Sequence, residues 1–413
     1  MPSLKQTGNQ NLPPAIVIGV DVSALNVVRS LGRRGIDVFT VGADQHDYGA
    51  VSRYATFVSC QDLNDGQTLV STLLALSRKV GRRMVLICTS DLHVLHVSRN
   101  REALKESFAF VLPEHEVIET LMDKRRFSVL ARSSGFPVPV TLFSGSAEEL
   151  EKIAAQAPYP CAVKPLYRTA FWSQLVPPEK KVMRATSPRD LIEKIRTLRA
   201  MDQHLIIQEW IPGGDEEVYF CLAYLDRESK ALALLTGRKL RQYPPLTGVT
   251  SLAETIRNDD LADLTKDVLS SAGCTGLCSL ECKYDAAEGI FKITEPTVGR
   301  VDLQEGISAP AGVDIPFIAY QDAAGMSPSV QNNFREGLKW INEPFELNSF
   351  LSRSRNGRKG LPFLHYYKGP RSYAVTAADD PGPFMRFMAV AGRRGLRYLT
   401  KSLRHRSGER SLC

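Results

Sequence analysis

The sequence predicts an α/β protein. A parallel α/β domain comes first, then a region of mixed strands and helices and a C-terminal extension. Three observations carry this reading. The N-terminus holds a strand–helix–strand unit of the nucleotide-fold type. Strand and helix patterns then alternate, ending in a long hairpin, with no internal repeat. The composition is that of a folded protein: 43% of 413 residues are hydrophobic and 23% charged. At roughly 100–200 residues per domain that length makes two to four domains. No apolar run approaches the ~20 residues that a membrane-spanning helix needs.

The first unit begins with an apolar strand, Ala15–Val20, followed by a short turn. Leu25, Val28 and Leu31 then recur at helical spacing, Gly32 and Gly35 stop the helix, and a second strand covers Asp37–Val41. The pattern is βαβ. Its turn carries Gly19 alone and lacks G-x-G-x-x-G, so a dinucleotide site is not expected. A further strand, Met84–Cys88, ends in Thr89, Ser90 and Asp91. Residues 119–135 read as one helix, with Phe127, Leu130 and Ala131 inward and Gly135 as its stop. Strands are expected at Cys161–Val163, Leu205–Gln208, Glu217–Tyr224 and Ala231–Leu235, and helices at Ser187–Arg199 and Asp260–Ser271. Cys278–Tyr284 and Phe291–Thr294 form a hairpin about the turn Asp285–Gly289.

Charge is unevenly placed. Residues 386–413 hold eight basic residues against the single acid Glu409, which accounts for the whole net charge of +7. A neutral body with a basic tail argues against a nucleic-acid-coating protein. In 383–403, Phe384, Phe387, Met388, Ala391, Leu396 and Leu399 form an apolar stripe among arginines. The stripe is expected to pack on the protein body; the alternative is peripheral contact with an anionic membrane. The N-terminal stretch MPSLKQTGNQNLPP lacks the apolar core of a signal peptide, which predicts a cytoplasmic protein. The eight cysteines then read as reduced thiols. Cys274, Cys278 and Cys282 recur every four residues, but nearby glycines disfavour a helix, so buried structural cysteines are expected rather than a metal site. His93 and His96 read as satisfied helix histidines.

The polar motifs gain meaning from their order. Asp123-Lys124 comes first, then Val163-Lys164-Pro165 at a strand end and Gln208-Glu209 at a strand-to-loop hinge. Glu217 follows a glycine turn, Glu281 sits in an apolar strand, and Glu295 ends the hairpin. Lysines neutralise phosphate oxygens, and carboxylates hold Mg²⁺, a hard cation that bridges phosphates. The pattern suits a nucleoside triphosphate without a P-loop, since no G-x-x-x-x-G-K-[ST] is present.

Over residues 15–325 the chain resembles the ATP-grasp superfamily, in its carboxylate–amine ligase-like branch. The resemblance rests on MDKRRFSVLARSSGFPVPVT (122–141), CAVKPL (161–166), IIQEWIPGGDEEVYF (206–220), SLECKYD (279–285) and ITEPTVGR (293–300), with Ser52-Arg53-Tyr54 in the first domain. It implies a flexible tail (1–12), a pre-ATP-grasp α/β domain (13–118), a first ATP-grasp lobe (119–204), a second lobe (205–325) and a C-terminal extension (326–413). It implies ATP with Mg²⁺, or Mn²⁺ in its place, and an ADP-forming ligase that joins a carboxylic acid to an amine through an acyl-phosphate. The alternative is an ATP-binding scaffold or regulator without turnover. A homo-oligomer is the weaker expectation. By position, Lys124 and Lys164 resemble the phosphate lysines, and Gln208, Glu209 and Ile211 the adenine hinge. Glu217 resembles the ribose acid, Glu281 and Glu295 the metal-bridging acids, and Arg238 and Arg300 the cations facing the acyl-phosphate. Lys239 belongs to the same basic strand as Arg238. Thr297 stands where many members have an Asn metal ligand, and Arg300 comes one residue late. Residues 165–212 contain no glycine, so a lid with Trp172-Ser173-Gln174 at its tip would use side chains or bind ATP less tightly.

Overall fold

The computed structural model describes residues 11–144, 150–165, 182–199, 205–355 and 366–393. The lid tip at 172–174 and the basic residues after 393 lie outside the described residues.

The N-terminal sheet has five parallel strands: β1 (Ala15–Ile18), β2 (Val38–Gly42), β3 (Ala55–Ser59), β4 (Met84–Cys88) and β5 (Phe108–Ala109). Their order is β3-β2-β1-β4-β5. β1 is buried throughout, because both faces of a parallel sheet are covered. Ile16 and Ile18 pack with the helix Gly66–Val80, Ala15 and Val17 with the helix Val22–Gly32. The Asp21 carboxylate caps the latter helix by accepting from the Ala24 N–H at 3.0 Å. Gly19 takes φ +127°, and a Cβ there would lie 2.3 Å from Thr89 Oγ1. That hydroxyl donates to the Ile18 carbonyl at 2.7 Å, which locks the ends of β1 and β4 together.

Three sequence expectations change. The single helix over 119–135 is two helices, His115–Met122 and Lys124–Ser133. Asp123 breaks them: its backbone is extended and its carboxylate caps the second helix through Arg125 N and Arg126 N. Glu217 closes a 3₁₀ turn (Asp215–Glu217) rather than opening a strand. The short strand at Ala231–Leu235 continues to Tyr243, thirteen residues in all.

A four-stranded antiparallel sheet follows, built from β6 (Thr141–Phe143), β7 (Cys161–Pro165), β8 (Met183–Ala185) and β9 (Leu205–Glu209), in the order β6-β9-β7-β8. Ile153, Val163, Leu191, Ile195 and Ile207 form its own core under two helices. The large sheet contains β10 (Val218–Leu225), β11 (Ala231–Tyr243), β12 (Val249–Thr255), β13 (Gly276–Asp285) and β14 (Ile290–Val298). Two strands from beyond residue 325, β15 (Lys339–Ile341) and β16 (Arg371–Tyr373), complete its edge in the order β14-β13-β10-β11-β12-β15-β16. Phe220, Leu222, Leu235 and Trp340 of this sheet share a core with Val17 and Val28, which fixes the sheet against the N-terminal domain.

Cys274, Cys278 and Cys282 are free and buried in the core, as expected. In the helix over 381–393, Phe387 packs on the body and Arg386 pairs with Asp44 at 3.6 Å. Phe384 and Met388 of the same stripe are exposed. Among the described residues no helix is long and apolar enough to cross a membrane.

Candidate active site

A cleft of about 550 Å³ lies between the four-stranded sheet and the large sheet. Lys124, Lys164, Gln208, Glu209, Ile211, Glu281, Glu295, Thr297 and Arg300 all line it. These residues span 177 positions of sequence, from 124 to 300, and the fold brings them to one space. Glu217 and Arg238 are not among the lining residues.

On the side of the four-stranded sheet, Lys164 ends β7 and Gln208 lies in the adjacent β9. Lys164 Nζ donates to Gln208 Oε1 at 2.9 Å, and Gln208 Nε2 donates to Thr141 Oγ1 at 3.1 Å. The lysine is thereby held at the cleft wall. Lys124 opens the helix capped by Asp123, where it is exposed to the cleft. Glu209 serves the hinge through structure. Its carboxylate accepts from the Val140 N–H at 3.0 Å and from Lys292 Nζ at 2.7 Å. Lys292 is also 3.0 Å from Asp285 and 2.7 Å from Glu288. Burial works against its charge, but bonds to Glu209, Glu288 and Asp285 prevail and raise its pKa. Three carboxylates close enough to hold a metal are thus gathered around an ammonium.

On the large sheet, Glu281 of β13 and Glu295 of β14 stand directly opposite in register. Like charges so placed repel unless a cation joins them. Glu281 pairs with Lys239 of β11 at 2.5 Å, and Lys239 is itself buried. Glu295 is exposed to the cleft. Thr297 is buried, and its hydroxyl lies 3.5 Å from Asp302 Oδ2. Asp302 also accepts from the Ser279 hydroxyl. The corner that sequence assigns to Thr297 thus contains a carboxylate, Asp302, two residues beyond Arg300.

Arg300 reaches the cleft from the junction of two domains. It bridges Cys88 at the end of β4, and Val301 N donates to Cys88 O at 3.1 Å. Its guanidinium donates to Asp91. Burial disfavours the charge, and Asp91 and Asp302 outweigh that and raise the pKa.

Arg238 points elsewhere. Successive strand residues face opposite sides, and on β11 it is Lys239 that faces the cleft. Arg238 pairs with Glu254 of β12 at 2.7 Å on the other face. Lys239 is legible as a member of the basic strand, but choosing between it and Arg238 requires the face. Glu217 packs beside Gly213 at the end of its turn, outside the cleft lining. Sequence reasoning missed Asp302, Lys283 and Gln304, all in the lining. Lys283 is partly buried, which lowers its pKa, and it donates to Gly213 O at 3.1 Å. Asp215 is buried and accepts from Gln242 N at 2.9 Å and Leu246 N at 2.7 Å, which fixes the end of β11 beside the cleft.

His93 lies behind the Thr89–Asp91 loop, 8% exposed, with its ring bonded to the Ile18 carbonyl. Burial, with help from His96, lowers its pKa from 6.5 to about 4. The unfolded chain therefore binds the proton first as pH falls. His93 lends its stability above pH 6.5 and loses it toward pH 4, up to about 3 kcal/mol in all. Urea melts at pH 7 and pH 5 should show about 2 kcal/mol of this loss, and His93→Gln should flatten it.

No protein-family model matches the sequence. The chain is similar to D-aspartate ligase of Enterococcus faecium (strain Aus0004), 22% identical over 369 residues, which is 83% of this chain and 86% of that one. Among solved structures, the biotin carboxylase domain of Hydrogenobacter thermophilus 2-oxoglutarate carboxylase superposes with a TM-score of 0.61 at 15% identity, covering 79% of this chain and 73% of that one. L-amino acid ligase of Bacillus licheniformis gives 0.57 at 15% identity, over 76% and 74%. The fold is that of the ATP-grasp proteins.

Proposed function

We propose that this protein is an ATP-dependent carbon–nitrogen ligase, joining a carboxylic acid to an amine through an acyl-phosphate and releasing ADP and phosphate. The observation that carries the reading is one cleft walled by Lys124 and Lys164 on one side and by the register-paired Glu281 and Glu295 on the other. Gln208, Glu209 and Ile211 form the hinge at its edge, placed to take the base of ATP.

The residues fit Mg²⁺: the carboxylates of Glu281 and Glu295 are hard oxygen donors that face each other across the hairpin, and Asp302 lines the same cleft. Mn²⁺ takes the same oxygen set. When bound, the metal would neutralise charge on phosphate oxygens. The cations Lys124, Lys164, Lys239 and Arg300 stabilise charge on the transferring phosphoryl group. A carboxylate oxygen of the acid attacks the γ-phosphorus, the bond to the β–γ bridging oxygen breaks, and ADP leaves. The amine nitrogen then attacks the acyl carbon, gives up its proton to solvent, and phosphate departs as the C–O bond breaks. The protein supplies no nucleophile, so positioning and electrostatics suffice. The D-aspartate ligase relative makes amino acids the first substrate class to test.

The Glu281–Lys239 pair favours one rival, an ATP-binding protein without turnover, because it engages a carboxylate that a metal would need. A library of acids and amines screened for ADP release separates the two. Ligase activity predicts ADP and phosphate with the right pair, and turnover lowered by roughly 10–100-fold in Glu295→Gln. AMP and pyrophosphate as products would refute the acyl-phosphate route. No ADP from any pair, with equal ATP-induced thermal stabilisation of wild type and Glu295→Gln, would establish the rival.

A further inference from the structure

The helix over 381–393 is fixed to the body along one side. Its first turn is seated: Pro383 is buried, and a Cβ on Gly382 would lie 2.3 Å from the Val51 carbonyl oxygen. One turn on, Phe387 packs on the core shared with the first domain, and Arg386 pairs with Asp44 at 3.6 Å. Just before the helix, the fully buried Asp380 accepts from Arg29, Ser52 and the Arg53 N–H. These contacts set the rotation of the helix about its axis, and so they set which side faces outward.

That outward side is apolar. Met385, Met388, Ala389 and Gly392 recur at i, i+3, i+4 and i+7, the spacing of one helix face. All four are exposed, Met385 to 68% and Met388 to 53%. Phe384, four residues before Met388, borders the face and is 38% exposed. A Cβ on Gly392 would meet nothing within 4 Å. A surface helix ordinarily turns polar residues to this side. Single exposed apolar residues are common, but a contiguous apolar face marks an interaction surface. The chain that continues from it is cationic: residues 393–413 hold seven basic side chains against Glu409 alone.

The occupant has to answer both features. A second copy of the chain would cover the methionines but bring its own basic tail alongside, and like charges repel. A nucleic acid would take the cations and leave the methionines in water. A bilayer that contains anionic lipid offers acyl chains and negative headgroups in one surface. We propose that the outer side of this helix docks on an anionic membrane surface. Phe384, Met385 and Met388 enter the boundary between headgroups and acyl chains, and the basic residues from Arg393 onward meet the headgroups. Asp44 follows β2 and Asp91 follows β4, and these parallel strands end at the same edge of their sheet. Asp91 accepts from Arg300 of the cleft, so the docked helix and Arg300 lie toward one end of the first domain.

Co-sedimentation of the full-length protein with vesicles tests the surface, and does so independently of the ligase reading. Phosphatidylcholine vesicles are compared with vesicles in which about a third of the lipid is phosphatidylglycerol. At about 0.1 M salt the anionic vesicles should bind at least about tenfold more tightly, and at about 1 M salt this preference should vanish, because the Debye length falls to about 3 Å. Met385→Gln/Met388→Gln should weaken binding about ten- to a hundredfold, with an unchanged thermal melt because both side chains are exposed. Arg393→Gln/Arg394→Gln/Arg397→Gln should weaken it about a hundredfold on anionic vesicles alone. Equal sedimentation with and without anionic vesicles would overturn the proposal. So would vesicle binding that survives the methionine variant. A dimer in sedimentation velocity that dissociates in the methionine variant, with vesicles ignored, would give the face to a second copy. A gel shift of RNA lost in the arginine variant, with vesicles ignored, would give the tail to nucleic acid.

Discussion

Lys164→Ala is expected to lower ADP release by roughly 10²–10³, with the protein still folded. Lys164 ends β7 at the cleft, held at 2.9 Å by Gln208, and it is one of the cations nearest the side that takes phosphate in the proposed reaction. Removing one preorganised charge-stabilising donor from a catalytic site costs about 2.7–4 kcal/mol of transition-state stabilisation. Stability should change far less, because a side-chain hydrogen bond such as the one to Gln208 contributes about 1 kcal/mol. Lys164→Arg keeps the charge and should retain part of the rate. Arg238→Ala offers the contrast. Its half-exposed pair with Glu254 lies on the other face of β11, so it should cost at most about 1 kcal/mol of stability and affect turnover much less. Rapid ADP assays with thermal melts measure both quantities. A folded Lys164→Ala enzyme with wild-type turnover would remove Lys164 from the phosphate site.

The order of lysines and acids makes the cleft legible in the sequence. Lys164 and Glu281 stand out by local rules alone: each charged residue adjoins an apolar strand, where a buried charge needs a partner. Faces are harder to read. Alternation along β11 makes Arg238 and Lys239 equally good candidates until the sheet's cleft side is known. Glu217 reads as a strand residue because Val218–Leu225 follows it without a break, yet its turn carries it away from the cleft. Asp302 has no local signal. It reaches the Thr297 corner because residues after β14 fold back under Ser279, a tertiary contact no periodicity records.

The fold follows the same division. β1, β4 and the hairpin are readable because their apolar runs have the right length and end in turn residues. β3, whose five residues are half-buried or exposed, gives no such run. The break at Asp123 is a capping decision: an aspartate inside an apolar helical period reads as a surface residue until its carboxylate is seen on Arg125 N and Arg126 N. Beyond residue 325 the sequence offers mostly turns and prolines. The segment is nonetheless integral, since β15 pairs with β12 and β16 with β15 at the edge of the large sheet.

Asp380→Ala is expected to destabilise the protein by about 3–5 kcal/mol. Asp380 is fully buried and accepts from Arg29 Nε at 3.0 Å, Ser52 Oγ at 2.8 Å and Arg53 N at 2.9 Å. Arg29 is almost as buried, and burial lowers its pKa despite the carboxylate beside it. With the carboxylate gone, the guanidinium keeps the carbonyls of Ala374 at 3.2 Å and Val375 at 2.7 Å, but no negative charge. An uncompensated buried charge carries the cost given above. The pair joins residues 351 apart in sequence, so its loss frees the C-terminal segment from the first domain as well. Arg29→Met should cost less than Asp380→Ala, because Ser52 and Arg53 still donate to the remaining carboxylate. The double variant Arg29→Met/Asp380→Ala should be more stable than the sum of the two single losses implies, as expected for groups in direct contact. Urea denaturation midpoints at constant slope measure all three. If Asp380→Ala lies within about 1 kcal/mol of wild type, the clamp is not what holds the C-terminal segment in place.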